Sequence, residues 1–128
     1  MKKQIVLACD LGGTNLRMAA IDSDGNILCR TRRETPKADR ADEVVGALIE
    51  SAKECRENIK EQGEVIAVAV AAPATVSAEK GIILKAPNVP ALDSFRMVAA
   101  LENELNIKAI LENDANAAAV GENWLGAS

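Results

Sequence analysis

Two short stretches of this sequence carry residue types that bind phosphate and move protons. The first is Asp10-Leu11-Gly12-Gly13-Thr14-Asn15, set between the apolar runs 5–9 and 16–21. Glycines at 12 and 13 would let the backbone take φ > 0 and leave no Cβ in the way, so successive N–H groups could point at an anion the size of a phosphate. Thr14 adds a hydroxyl donor. Asp10, at the end of the first strand, stands where a carboxylate can hold a hydrated Mg²⁺ beside such a phosphate. A tight hairpin with an Asp-Gly-rich turn would use the same residues for structure alone. The second stretch is Glu112-Asn113-Asp114-Ala115-Asn116, between a short apolar strand and an Ala-rich segment. Asn113 and Asp114 there fall at the strand-to-helix junction where open α/β sheets bind ligands. Asp114 also suits the N-cap of the following helix, and the two roles are compatible. A carboxylate at a helix N-terminus is held ionised and aimed into the crevice, which suits a base accepting a hydroxyl proton.

Composition narrows the chemistry. The chain has 128 residues, enough for one domain with a real core, and 48% of them are hydrophobic. One Phe, one Trp and no Tyr leave an aliphatic core and no set of rings for stacking bases. With a formal charge of −4, a broad nucleic-acid surface is not expected. The basic run 30–33 reads as the solvated side of a strand. There is no His, and the three cysteines, Cys9, Cys29 and Cys55, lack metal-type spacing, so no Cys/His zinc site is expected within the chain. Reduced thiols point to the cytoplasm. The apolar stretch after Lys2 and Lys3 is too short for a signal sequence or a membrane span.

The elements that must position these residues follow from periodicity. The runs 5–9, 16–21 and 27–33, the last two separated by the turn Asp22-Ser23-Asp24-Gly25-Asn26, predict three antiparallel strands ending before Pro36. Asp39 is expected to cap a helix whose apolar stripe is Ala41, Val44, Val45, Leu48, Ala52, Cys55 and Ile59, closed by Gln62-Gly63. Residues 65–72 are apolar without alternation and predict a central strand covered on both faces. After Pro73 the chain turns irregular, with a small hairpin around residues 82–84. Asp93 or Ser94 would cap a second helix bearing Phe95, Val98, Leu101 and Leu105, with Asn106 as a left-handed C-cap. Residues 108–111 read as a buried strand and 115–124 as a third helix. The order β-β-β-α-β-α-β-α implies a mixed five-stranded sheet with helices on both faces.

An N-terminal Asp-Leu-Gly-Gly-Thr in a lobe of that order, with Glu-Asn-Asp-Ala-Asn-Ala-Ala-Ala-Val-Gly-Glu at 112–122, resembles the ROK family of bacterial sugar kinases and sugar-responsive repressors. Pro87-Asn88-Val89-Pro90 matches a third element of that family. The resemblance covers essentially the whole chain and implies a ribonuclease-H-like lobe of the actin-like, sugar-kinase and Hsp70 ATPase superfamily. It implies Asp10 as the carboxylate near Mg²⁺ and Gly12, Gly13 and Thr14 as the ATP phosphate turn. Asn113 and Asn88 would then contact sugar hydroxyls, Asp114 would be the catalytic base, and Glu112 would be structural. Two departures affect the sugar pocket. Ala71-Ala72-Pro73-Ala74 stands where the family has Gly-x-Pro-Gly, and Ala91-Leu92-Asp93 replaces a customary aromatic residue.

The resemblance further implies that residues 1–128 form a single N-terminal lobe of a two-lobe enzyme. The adenosine site, further sugar contacts and a structural Zn site would lie in a C-terminal lobe outside this chain, leaving the chain by itself inactive. The leading expectation is an ATP-dependent hexose kinase of the glucokinase type acting in glycolysis in the cytoplasm, with ATP and sugar as its small-molecule partners, no nucleic-acid or membrane partner, and room for a homodimer. A sugar-sensing regulatory module without kinase activity is the alternative. The repressors carry a DNA-binding segment ahead of the phosphate turn, and only nine residues precede Asp10 here. A stand-alone ATPase lobe is a third reading, to which Asn113-Asp114 would not belong.

Overall fold

The computed structural model describes residues 3–37 and 39–113. Strands β1 (Lys3–Leu11), β2 (Asn15–Asp22) and β3 (Ile27–Glu34) form an antiparallel meander. Helix α1 (Ala41–Asn58) leads into β4 (Gly63–Ala72), which pairs parallel to β1. The short strands β5 (Thr75–Ser77) and β6 (Ile82–Lys85) make the expected small hairpin. A 3-10 turn at Pro90–Leu92 and helix α2 (Met97–Leu105) then lead to β7 (Lys108–Asn113), parallel to β4. The five-stranded sheet has the order β3-β2-β1-β4-β7, the mixed sheet read from the sequence. The third helix expected at 115–124 lies outside the described residues.

The core occupies one face of the sheet. Ile5, Leu7, Cys9 and Leu11 alternate inward along β1, matched across β2 by Ala20, Met18 and Leu16. Against them pack Val44, Val45, Leu48, Ala52 and Cys55 of α1, the predicted stripe, and Met97, Leu101 and Leu105 of α2. The opposite face carries Val6, Ala8, Ala19, Ile21, Ala69, Ala71 and Ile110, all partly exposed, together with Ala67, which is buried. β4 is therefore covered on one face by the described residues, and its small side chains lie on the other. The lack of alternation that marked it as central reflects alanines on the open face rather than large residues on both.

Local boundaries differ where tertiary contacts take over a residue's polar groups. Arg40, not Asp39, holds the N-cap position of α1, with no side-chain cap. The helix ends at Asn58, with Ile59 as its cap, rather than at Gln62-Gly63. Gly63 instead begins β4, where a Cβ would come within 2.5 Å of the Lys3 carbonyl oxygen. It is a glycine of close strand approach, not of helix termination. Neither Asp93 nor Ser94 caps α2, which begins at Met97 with Arg96 in the N-cap position and no side-chain cap; Asp93 Oδ1 instead accepts the Ala86 N–H at 2.7 Å and fixes the irregular segment before the helix. Asn106 takes the left-handed C-cap conformation at φ 55°, as expected.

Candidate functional site

The parallel strands β1, β4 and β7 end at the same edge of the sheet, and the sequence-predicted residues within the described range gather along it. Asp10 of β1 is in register with Ala71 of β4, which is in register with Glu112 of β7. On the other side Asp10 pairs with Arg17 of β2, and Arg17 with Arg32 of β3. A row of charge, Arg32-Arg17-Asp10-Ala71-Glu112, thus crosses the open face. Asn113 pairs with Ala72 one residue further on, so by register it belongs to the helix-covered face. Glu112 is the residue of that cluster sharing Asp10's face, two strands or about 10 Å away. Asp114 lies outside the described residues.

The turn between β1 and β2 is built differently from the expectation. Neither Gly12 nor Gly13 has a positive φ; among described glycines only Gly25 and Gly81 do. Their need for hydrogen in place of a side chain is steric. A Cβ on Gly12 would sit 3.0 Å from the Asn15 carbonyl oxygen, and one on Gly13 would sit 2.9 Å from the Cβ of Asn88. The Gly12 amide is also committed, donating to the Asn15 carbonyl at 2.9 Å. That leaves the amides of Gly13 and Thr14, which make no hydrogen bond among the described residues, and the exposed Thr14 hydroxyl as the donors for an anion.

Thr35 is the site residue that sequence reasoning passed over. Buried at 3% exposure, it donates its hydroxyl to the Gly12 carbonyl at 2.7 Å and its amide to the Thr14 carbonyl at 2.9 Å. The turn is clamped from the strand end of β3, so its free amides keep a fixed direction without a ligand. A cavity of about 450 Å³ opens beside the clamp, lined by Thr14, Glu34, Thr35, Pro36 and Lys37. The available signal was the hydroxyl of Thr35 just before Pro36. In the sequence it marked only the end of a strand.

Asp10 is exposed, and no cluster of three metal-ligating side chains occurs among the described residues. A single solvent-facing carboxylate beside free amides fits a Mg²⁺ that keeps most of its waters and arrives with phosphate; it does not fit a cation held by protein ligands alone. The neighbouring Cys9 thiol is pushed well up, by burial first and by the charge of Asp10 second. It remains a protonated core group rather than a nucleophile.

The sequence matches the ROK family over residues 6–128. This chain belongs to the ROK family. It is 31% identical to a glucokinase of Thermotoga maritima over 99% of this chain and 39% of that protein. It is also 31% identical to a beta-glucoside kinase of Listeria monocytogenes, over 94% of this chain and 38% of that protein. A ROK glucokinase of Streptomyces griseus solved with glucose and AMPPNP superposes with a TM-score of 0.79 at 29% identity, over 95% of this chain and 37% of that one. A ROK transcriptional regulator superposes with a TM-score of 0.81 over 94% of this chain and 30% of that one, but at 22% identity it speaks to the fold alone. The fold is thus that of ROK sugar kinases, and the chain spans less than two-fifths of the length of these curated relatives. Among the described residues no helix is long and apolar enough to cross a membrane.

Proposed function

We propose that residues 1–128 form the N-terminal lobe of a two-lobe cytoplasmic sugar kinase that transfers the γ-phosphoryl group of ATP to a hexose hydroxyl, with glucose as the sugar. The observation that carries this reading is the packing of Gly13 directly on Asn88. It joins the phosphate turn to the Pro-Asn-x-Pro segment, at the edge where β7 delivers Asn113. In this reading the amides of Gly13 and Thr14 and the Thr14 hydroxyl bind the donor's phosphates, held in direction by Thr35. Asp10 orients a hydrated Mg²⁺, which when bound neutralises charge on the phosphate oxygens. Asn88 and Asn113 bind sugar hydroxyls, and Asp114 accepts the proton of the attacking one. That base needs little strength, because the proton leaves late in a loose transition state, so its position matters more than its pKa. The adenosine pocket, the closing surface and a structural zinc are assigned to the second lobe, so the chain alone would not turn over.

The test is Asp114→Asn in the full-length protein. Asn keeps most of the capping ability, so the variant should fold, bind sugar nearly as well and lose roughly 100-fold or more in kcat, the scale of a positioned general base. Near-normal kcat would reduce Asp114 to a helix cap and remove the chemical support for this assignment. Sugar binding without any phosphorylation by the wild type would instead favour a sensor.

A further inference from the structure

We infer that Cys29 and Cys55 form a dithiol modification site that closes to a disulfide and staples β3 to α1. The two residues are 26 positions apart and come from different elements, yet the Cys55 thiol donates to Cys29 Sγ at 3.4 Å. Asn58, one turn further along α1, donates from Nδ2 to the same sulfur at 3.6 Å. Ion pairs of Arg33 on β3 with Glu50 and Glu54 on α1, at 3.3 and 2.8 Å, bridge the same two elements. A disulfide needs about 2.05 Å between the sulfurs, so closing the bond requires the two sulfurs to move together from this starting distance. The partners differ in access. Cys29 is half-buried and within reach of a small oxidant, whereas Cys55 is fully buried. Burial first, and the neighbouring Cys29 second, push the Cys55 thiol up to about 12, so it stays protonated until its partner has reacted.

The oxidant class this arrangement admits is a peroxide. The Cys29 thiolate attacks one oxygen of hydrogen peroxide, the O–O bond breaks, and Cys29 becomes a sulfenic acid with release of hydroxide. Cys55 then gives up its proton as its sulfur attacks the Cys29 sulfur. The S–O bond breaks, and the departing hydroxyl leaves with a proton as water. In sum two thiols and one peroxide give one disulfide and two waters, and a small-molecule thiol reverses the change. The closed loop contains Thr35, the clamp on Gly12 and Thr14, so the bond fixes the strand that delivers that clamp.

Peroxide treatment of the protein, followed by non-reducing peptide mapping, tests this. The expected result is a Cys29–Cys55 linked peptide with the loss of two of the three titratable thiols, Cys9 remaining free, a raised thermal midpoint, and full reversal by dithiothreitol. Cys29→Ser alters the half-buried partner, so it should fold, and peroxide should leave its midpoint unchanged. Over-oxidation of Cys29 with Cys55 still a thiol, dimers linked only between molecules, or survival of all three thiols would each overturn the inference.

Discussion

The two hairpin turns at opposite ends of β2 use the same residue types to opposite ends. Between β2 and β3, Asp22 is fully buried and saturated: its carboxylate accepts the amides of Asp24 and Asn26 at 2.9 Å each, the Asn26 side chain at 3.1 Å and Lys3 Nζ at 3.4 Å. Those donors, the Asn26 amide foremost, hold its carboxyl below the ordinary carboxylate value. Gly25 there takes φ 85° with open space around it. Between β1 and β2, Asp10 is exposed, the glycines have no positive φ, and two amides are left over. A turn whose polar groups are consumed internally is structure. One held rigid by outside groups, with donors to spare, can bind a ligand.

The largest expected way to break this contrast is Gly13→Ala. The new methyl must displace Asn88, an overpacking cost of about 1–3 kcal/mol in chemical denaturation, and a second change, Asn88→Gly, should recover part of it. No recovery would mean that the turn's own backbone, rather than its contact with Asn88, requires glycine. Gly25→Ala meets nothing, so it should cost only the left-handed backbone preference, about 1 kcal/mol, with no second-site rescue.

Thr35→Val comes next. It removes the donor to the Gly12 carbonyl and should cost about 1 kcal/mol, while hydrogen exchange at Gly13 and Thr14 rises as the turn loses its clamp. Unchanged exchange there would show that the turn is rigid without Thr35.

The smallest effect is expected at Asp10. Its removal as Asp10→Asn should leave stability at neutral pH within about 0.5 kcal/mol, because among the described residues its exposed carboxylate makes no hydrogen bond or ion pair. Asp22 supplies the contrast through pH. A carboxyl held below its ordinary value of 3.8 in the folded state contributes stability that is fully present above that value and is lost as pH falls through the lower native one. Urea midpoints followed downward from pH 6 should therefore show an acid decline that Asp10→Asn retains and Asp22→Asn lacks. Equal acid profiles for the two variants would erase the distinction between the turns.

By itself the sequence determined the order of strands and helices as far as β7, the α1 stripe, the left-handed cap at Asn106 and the two motifs, because these depend on local periodicity and on residue types with strong backbone preferences. What it could not assign were the partners of groups that pair across long separations. Asp93 reads as a helix cap until Ala86 claims its oxygen, and Gly63 as a helix stop until Lys3 lies against it. Thr35 marks only a strand end until the meander folds it under Gly12. Glu112, set aside as structural, falls on Asp10's face because the parallel register of β1, β4 and β7 is fixed by the core beneath them. Residue chemistry and spacing nominate a site; the tertiary structure decides which of its donors are spent and which are free, since a hydrogen bond between distant residues leaves no trace in the pattern of either segment.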